Sequence, residues 1–106
     1  MEYKFTADNF EAEVLQASTP VLVDFYADWC NPCKMMGPVV AKIAEDYQGR
    51  GKVGKGNIDE NMELAGKYRV SSIPAFIIFK AGAPAANFVG SMPAAELKAK
   101  VEQALA

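Results

Sequence analysis

The sequence predicts an α/β sandwich, a mixed sheet of five strands flanked by four helices. Three observations point there. Residues 21–27 are apolar on both alternating faces except at Asp24, as in a strand covered on both sides by helices. A helical pattern through Met36, Val40, Ile43, Ala44 and Tyr47 follows, and a second strand follows that. Later, Ala81-Gly82-Ala83-Pro84 separates two strand-like runs, which reads as an antiparallel hairpin.

Each element has its own signal. Tyr3-Lys4-Phe5-Thr6 is a short strand candidate. Thr6 or Asp8 caps a helix running to about Ala17, with Phe10, Val14 and Ala17 on one face. Ser18-Thr19-Pro20 ends it, and the central strand begins at Val21. The next helix starts near Cys30, is kinked by Pro38 beside Gly37, and stops at Gln48-Gly49-Arg50-Gly51.

Residues 52–59 form the next strand, parallel to the central one because a helix separates them. Gly54 and Gly56 share one face of it, so a weaker strand or a shallow cavity is expected there. Asn61 or Asp59 caps a short helix over 62–68, with Leu64, Ala65 and Tyr68 inward. Strands over 75–80 and 85–89 make the hairpin. Pro93 opens the last helix, with Leu97, Val101 and Leu105 on one face and Glu96 spaced to pair with Lys100.

The bulk numbers narrow the function. A chain of 106 residues, 51% hydrophobic, buries a real core as one domain spanning residues 1–106. Net charge is −2 with a pI near 5.1, and there is no run of Lys or Arg. Nucleic acid and membranes are therefore not expected partners. Met1-Glu2-Tyr3-Lys4 lacks a basic start followed by an apolar stretch, and no apolar run is long enough to cross a bilayer. The expectation is a cytoplasmic protein without a signal peptide. In that reducing compartment a lone cysteine pair is a better candidate for catalysis than for a structural staple.

The chemistry sits at Trp29-Cys30-Asn31-Pro32-Cys33, where the central strand hands over to a helix. Residues three apart at a helix start lie one turn apart on the same side, with Cα atoms roughly 5–6 Å from each other, inside the disulfide window. The free N–H groups and the dipole of the helix start favour a thiolate at Cys30, the attacking species in thiol–disulfide exchange. Cys33 is expected to be more buried and to resolve the mixed disulfide. Core cysteines adjacent by accident are the bland reading. A zinc site needs about four ligands, and the chain has no histidine and only 2 cysteines. No metal is expected within one chain, though a metal or cluster shared between two chains stays open.

Asp24 is conspicuous in a doubly covered strand, because a buried carboxylate must find a partner or keep its proton. A wet edge strand is the alternative. Pro32 fits an early helical position, where its missing N–H loses nothing. Read alone, Trp29 is ordinary core, Lys55 an exposed lysine and Pro74 the start of a strand.

The segment Val23-Asp24-Phe25-Tyr26-Ala27-Asp28-Trp29-Cys30-Asn31-Pro32-Cys33-Lys34 resembles the active-site segment of the thioredoxin family. Asn57-Ile58-Asp59-Glu60-Asn61, Ser72-Ile73-Pro74-Ala75-Phe76, Phe79-Lys80-Ala81-Gly82 and Val89-Gly90 resemble further segments of that family, in order. The resemblance implies the thioredoxin fold with strand order 1-3-2-4-5. It also implies a disulfide reductase with Cys30 as nucleophile and Cys33 resolving. Asp24 would then take the proton of Cys33 through a water, with Lys55 approaching that aspartate. Trp29, Asn31, Pro32, Ile73, Pro74 and Gly90 would line the substrate groove, with a cis bond before Pro74 and its loop shielding the dithiol from metal ions. Asn31 departs from the family, where Gly is commonest.

The implied partners are a thioredoxin reductase and disulfide substrates such as ribonucleotide reductase, peroxiredoxin and methionine sulfoxide reductase. The implied protein is a monomer with no bound cofactor. Two other functions stay open, an isomerase or oxidant on the same fold and a non-catalytic binding module whose cysteines are dispensable.

Overall fold

The computed structural model describes residues 1–105; Ala106, the last residue of the expected domain, lies outside the described residues. Five strands and four helices alternate as expected. They are β1 (Tyr3–Lys4), α1 (Glu11–Leu15), β2 (Val21–Tyr26), α2 (Asn31–Asp46), β3 (Lys52–Asn57), α3 (Met62–Lys67), β4 (Ala75–Lys80), β5 (Ala83–Val89) and α4 (Ala94–Leu105). The sheet order is β1-β3-β2-β4-β5. β1, β3 and β2 are parallel, while β4 and β5 run antiparallel to their neighbours. This is the thioredoxin fold.

The alternation of β2 divides the core. Val21, Val23 and Phe25 pack with Phe5, Phe10, Val14, Ile77 and Phe79 on the face covered by α1 and α3. Leu22 packs with Val40, Ile43, Val53, Phe76, Leu97 and Val101 on the face covered by α2 and α4. Asp24 belongs to the second face by its position in the strand. The wet-edge alternative for Asp24 is excluded, because β2 is the middle of five strands and Asp24 is only 3% exposed.

Several local expectations are corrected. The first helix is shorter than expected and wound as a π-helix over Glu11–Leu15. Ahead of it, Thr6 and Asn9 bond to each other. The Thr6 N–H donates to Asn9 Oδ1 at 2.7 Å and the Asn9 N–H to Thr6 Oγ1 at 3.3 Å in the turn before the helix, but the N-cap of α1 is Phe10 with no side-chain cap bond, so neither Thr6 nor Asp8 caps the helix. Asn61 stands at the N-cap of α3, but its side chain makes no cap bond. Its Oδ1 accepts from the Ala7 N–H and its Nδ2 donates to the Asn57 carbonyl, tying three segments together.

The hairpin turn is tighter than the four residues suggested. Lys80 pairs directly with Ala83, leaving the two-residue loop Ala81-Gly82 with φ of 54° and 81°. Pro84 lies within edge strand β5, beside a register shift at Ile78/Phe79. Lys100 forms no ion pair with Glu96; its ammonium instead lies 5.5 Å from the centre of the Phe88 ring.

The expected cavity at Gly54 is absent for a steric reason. A Cβ built on Gly54 would lie 2.6 Å from Phe5 Cε2 and 2.6 Å from the Tyr3 carbonyl oxygen. The missing side chain is the space into which β1 and Phe5 pack. α2 continues through Pro38 to Asp46.

Candidate active site

β2 and β3 end side by side, with Tyr26 opposite Asn57. The chain leaving β2 passes through Ala27, Asp28 and Trp29 and turns into α2. Cys30 is the N-cap of α2, extended at φ −90° and ψ 107°, one position earlier than the first turn expected. Its Sγ accepts the Cys33 N–H at 3.2 Å. That is one of the free amides of a helix start turned onto sulfur, an arrangement that favours negative charge there. Asn31 and Pro32, the first helical residues, are exposed.

Cys30 and Cys33 form a disulfide with Cα atoms 5.2 Å apart. The expected contrast in burial between them is not found, because Cys30 is 6% and Cys33 5% exposed. Both pack with Ala27, and Ile73, Tyr26 and Ile58 close around the group. The bland reading of Trp29 as core also fails, since it is 67% exposed. Its indole N–H donates to Asp59 Oδ2 at 2.8 Å.

The Ile73–Pro74 peptide is cis. The Ile73 carbonyl oxygen lies 4.0 Å from Cys30 Sγ. The Pro74 carbonyl accepts the Gly90 N–H at 2.8 Å, joining the two loops that flank the disulfide. Gly90 has φ 99°, and a Cβ on it would meet nothing within 4 Å. Its left-handed backbone is one that glycine adopts readily.

Behind the disulfide lies a cavity of about 290 Å³ lined by Asp24, Tyr26, Ala27, Asp28, Cys33, Lys34, Gly37 and Lys55. It places Asp24, Cys33 and Lys55 around one space with room for water. Asp24 Oδ1 has no hydrogen-bond partner among the described residues. Burial pushes the Asp24 carboxyl up from 3.8 to about 7, the Glu2 carboxylate adds to the rise, and Lys55 opposes it. Lys55 faces Asp24 across the β2–β3 ladder. It is exposed, and its ammonium lies 5.3 Å from the centre of the Tyr26 ring.

The sequence-family model for thioredoxin matches residues 2–103. The chain belongs to the thioredoxin family. A thioredoxin of Pseudomonas aeruginosa is 49% identical over 94 residues, covering 89% of this chain and 87% of that protein. Thioredoxin 1 of Nostoc sp. is 46% identical over 100 residues, covering 94% of each. A thioredoxin of Chlorobaculum thiosulfatiphilum is 41% identical over 101 residues, covering 95% of this chain and 94% of that protein. With the Cys30–Cys33 pair, membership of the thioredoxin family makes this chain a thiol–disulfide oxidoreductase and a protein-disulfide reductase. The family implies a reductase partner and disulfide-bearing substrates.

Three residues acquire places that the sequence reading did not give them. Asp59 was a cap candidate and instead holds Trp29. The signal for it was the adjacency of two parallel strand ends, one leading to Trp29 and the other to Asp59. Asp28 lines the cavity and accepts from Asn57 Nδ2 at 3.3 Å. The charge of Glu2, just before β1, adds to the rise at Asp24, and nothing in its immediate sequence marks it.

Proposed function

We propose that this chain carries electrons to protein disulfides, with Cys30 attacking and Cys33 resolving. The observation that carries the reading is the placement of Cys30. Its sulfur accepts a hydrogen bond from the Cys33 N–H at the helix start and faces the loop of the cis peptide, while Cys33 opens toward Asp24. Reduced Cys30 attacks one sulfur of a substrate disulfide as the thiolate; the substrate S–S bond breaks, its other sulfur leaves as a thiolate, and a mixed disulfide forms. Asp24 takes the proton of Cys33 through water in the cavity, with Lys55 tuning that carboxylate. The Cys33 thiolate attacks Cys30 Sγ, the intramolecular disulfide forms, and the substrate leaves as a thiolate.

Trp29, Asn31, Pro32, Ile73, Pro74 and Gly90 form the docking groove. The backbone before Pro74 pairs with an extended substrate segment as an added strand would. A thioredoxin reductase returns the pair to the dithiol. Targets are of the ribonucleotide reductase, peroxiredoxin and methionine sulfoxide reductase kinds. The working unit is a monomer, a single domain over 1–106, in the cytoplasm.

The test is the reduction potential of Cys30–Cys33 in glutathione or dithiothreitol buffers, read by Trp29 fluorescence. A value well below the cytosolic glutathione poise is expected, and a value well above it would make the protein an oxidant or isomerase. Alongside it, Cys33→Ser should trap a mixed disulfide that Cys30→Ser cannot form. Asp24→Asn should lengthen the lifetime of the wild-type intermediate. Activity that survives replacement of both cysteines would overturn the reading in favour of a binding module.

A further inference from the structure

Where β2 and β3 end, the two chains stay joined by three bonds in succession. The Ile58 N–H donates to the Tyr26 carbonyl at 2.9 Å, Asn57 Nδ2 to Asp28 Oδ2 at 3.3 Å, and the Trp29 indole N–H to Asp59 Oδ2 at 2.8 Å. The last two hold consecutive residues of the turn that ends at Cys30, whose own N–H closes that turn onto the Ala27 carbonyl at 3.2 Å. Asp28, Trp29 and Asp59 are exposed. Of the side chains in these two bonds, Asn57 is the buried one, 6% exposed.

Asn57 reaches both bonds. Its Nδ2 makes the one to Asp28. Its Oδ1 accepts the Asp59 N–H at 2.8 Å and the Glu60 N–H at 3.4 Å, which folds the chain after β3 into the turn that carries Asp59. Both acceptor sites of the amide oxygen are thereby engaged. The backbone beneath is anchored as well, because the Asn57 carbonyl accepts Asn61 Nδ2 at 3.0 Å.

We propose that Asn57 is a positioning residue for substrate docking: one buried amide grips Asp28 directly and Trp29 through the Asp59 turn, and so sets the two residues that precede the nucleophile. This rests on the reading of Trp29 as a docking surface. A hydrogen bond between exposed groups competes with water, and it orders the indole only as well as its carboxylate is placed. The turn built on Asn57 Oδ1 supplies that placement. The side-chain bonds of Asn57 go to Asp28, Asp59 and Glu60 and not to a reacting sulfur. Its loss should therefore raise KM rather than slow the chemical step.

Trp29 is the only tryptophan, so its fluorescence anisotropy decay reports the tether directly. The decay is measured on the reduced forms of wild type, Asn57→Ala, Asn57→Asp and Asp59→Ala, with KM and kcat for a protein disulfide and a urea curve on the same samples. In Asn57→Ala the indole should gain fast local motion, and KM should rise a few-fold, at least as much as in Asp59→Ala, with kcat near wild type. Asn57→Asp keeps an acceptor for the Asp59 turn and loses the donor to Asp28. Its indole should stay fixed and its KM rise less, and adding Asp28→Asn, which returns a donor to that pair, should bring KM back toward wild type. Because Asn57 acts in part through Asp59, the Asn57→Ala, Asp59→Ala double variant should raise KM by less than the product of the single effects. An indole as fixed in Asn57→Ala as in wild type, single effects that multiply in full, or a failure of Asp28→Asn to rescue Asn57→Asp would overturn the proposal. Indole motion that appears while KM stays unchanged supports the placement of Trp29 by Asn57 and overturns instead the reading of Trp29 as a docking surface.

Discussion

Trp29 and Asp59 are bound to each other across the ends of two parallel strands, indole N–H to Oδ2 at 2.8 Å. The largest exposed apolar side chain beside the disulfide thus keeps one orientation, although 67% of it faces solvent. A tethered indole presents contact area to a substrate with less ordering entropy left to lose on binding.

Asp59→Ala should therefore raise KM for a protein disulfide a few-fold while kcat changes little. Both partners are exposed, so the stability loss should stay below about 1 kcal/mol. Steady-state kinetics with a protein disulfide and a urea denaturation curve check the two halves. An unchanged KM would mean that the tether does nothing for docking.

Asp24 should make stability fall as pH rises. Its carboxyl titrates near 3.8 when solvated and near 7 when folded. Below the lower value both states hold the proton, and burial carries no ionisation penalty. Between the two values the unfolded chain releases the proton and the folded chain keeps it, so each pH unit favours unfolding. Above the upper value the penalty is constant. Asp24→Asn should thus match wild type in stability at about pH 3 and exceed it by roughly 3–4 kcal/mol at about pH 8. Urea midpoints across that range are the measurement, and a flat difference would sink the assignment.

Gly54 and Gly56 should respond very differently to the same change. A Cβ at Gly54 meets Phe5 Cε2 and the Tyr3 carbonyl at 2.6 Å, whereas at Gly56 the nearest atom is the Phe5 carbonyl oxygen at 3.5 Å. Gly54→Ala should cost about 2–3 kcal/mol or more, because edge-strand backbone must move. Gly56→Ala should stay within about 1 kcal/mol of wild type. Equal effects would contradict the packing of β1.

Among the described residues, two hold the left-handed conformation without being glycine. Ala81 has φ 54° in the hairpin loop, and Arg69 has φ 57° just past α3. There the Val70 N–H reaches the Ala65 carbonyl at 2.8 Å and the Arg69 N–H the Gly66 carbonyl at 3.2 Å, the bonding of a helix end that favours glycine. Ala81→Asn and Arg69→Gly should each raise stability by about 0.5–1 kcal/mol, seen as a higher Tm. A lower Tm in either would mean that the native side chain makes a contact worth more than its backbone strain.

What the sequence shows and what it hides divide along contact range. The doubly apolar run of β2 marked it as a central strand, which made Asp24 an anomaly before any coordinates. The spacing of Cys30 and Cys33 stated their separation, and the segment around Pro74 matched its family in order. Gly54 showed only that a side chain was missing; that Phe5 occupies the space depends on residues about fifty positions away. Asn61 reads as a cap because caps are local, yet Ala7 and Asn57 claim its side chain. The near-equal burial of the two cysteines was hidden for the same reason, because Ile58 and Ile73 arrive from other loops. Asp59 follows the end of the strand beside β2, so only the sheet order reveals its bond to Trp29.

The disulfide spans a sequence separation of only 3. So short a ring restricts the unfolded chain little, on the order of 2 kcal/mol by loop-closure entropy. Oxidation, reduction, folding and unfolding form a closed thermodynamic cycle. The difference in stability between the oxidised and reduced forms must therefore equal the difference in redox free energy between the folded and unfolded pair. A change of 30 mV on one side appears as about 1.4 kcal/mol on the other. The effect of Asn31 on electron transfer can then be read by melting both forms of the wild type and of Asn31→Gly, without running a reaction at all.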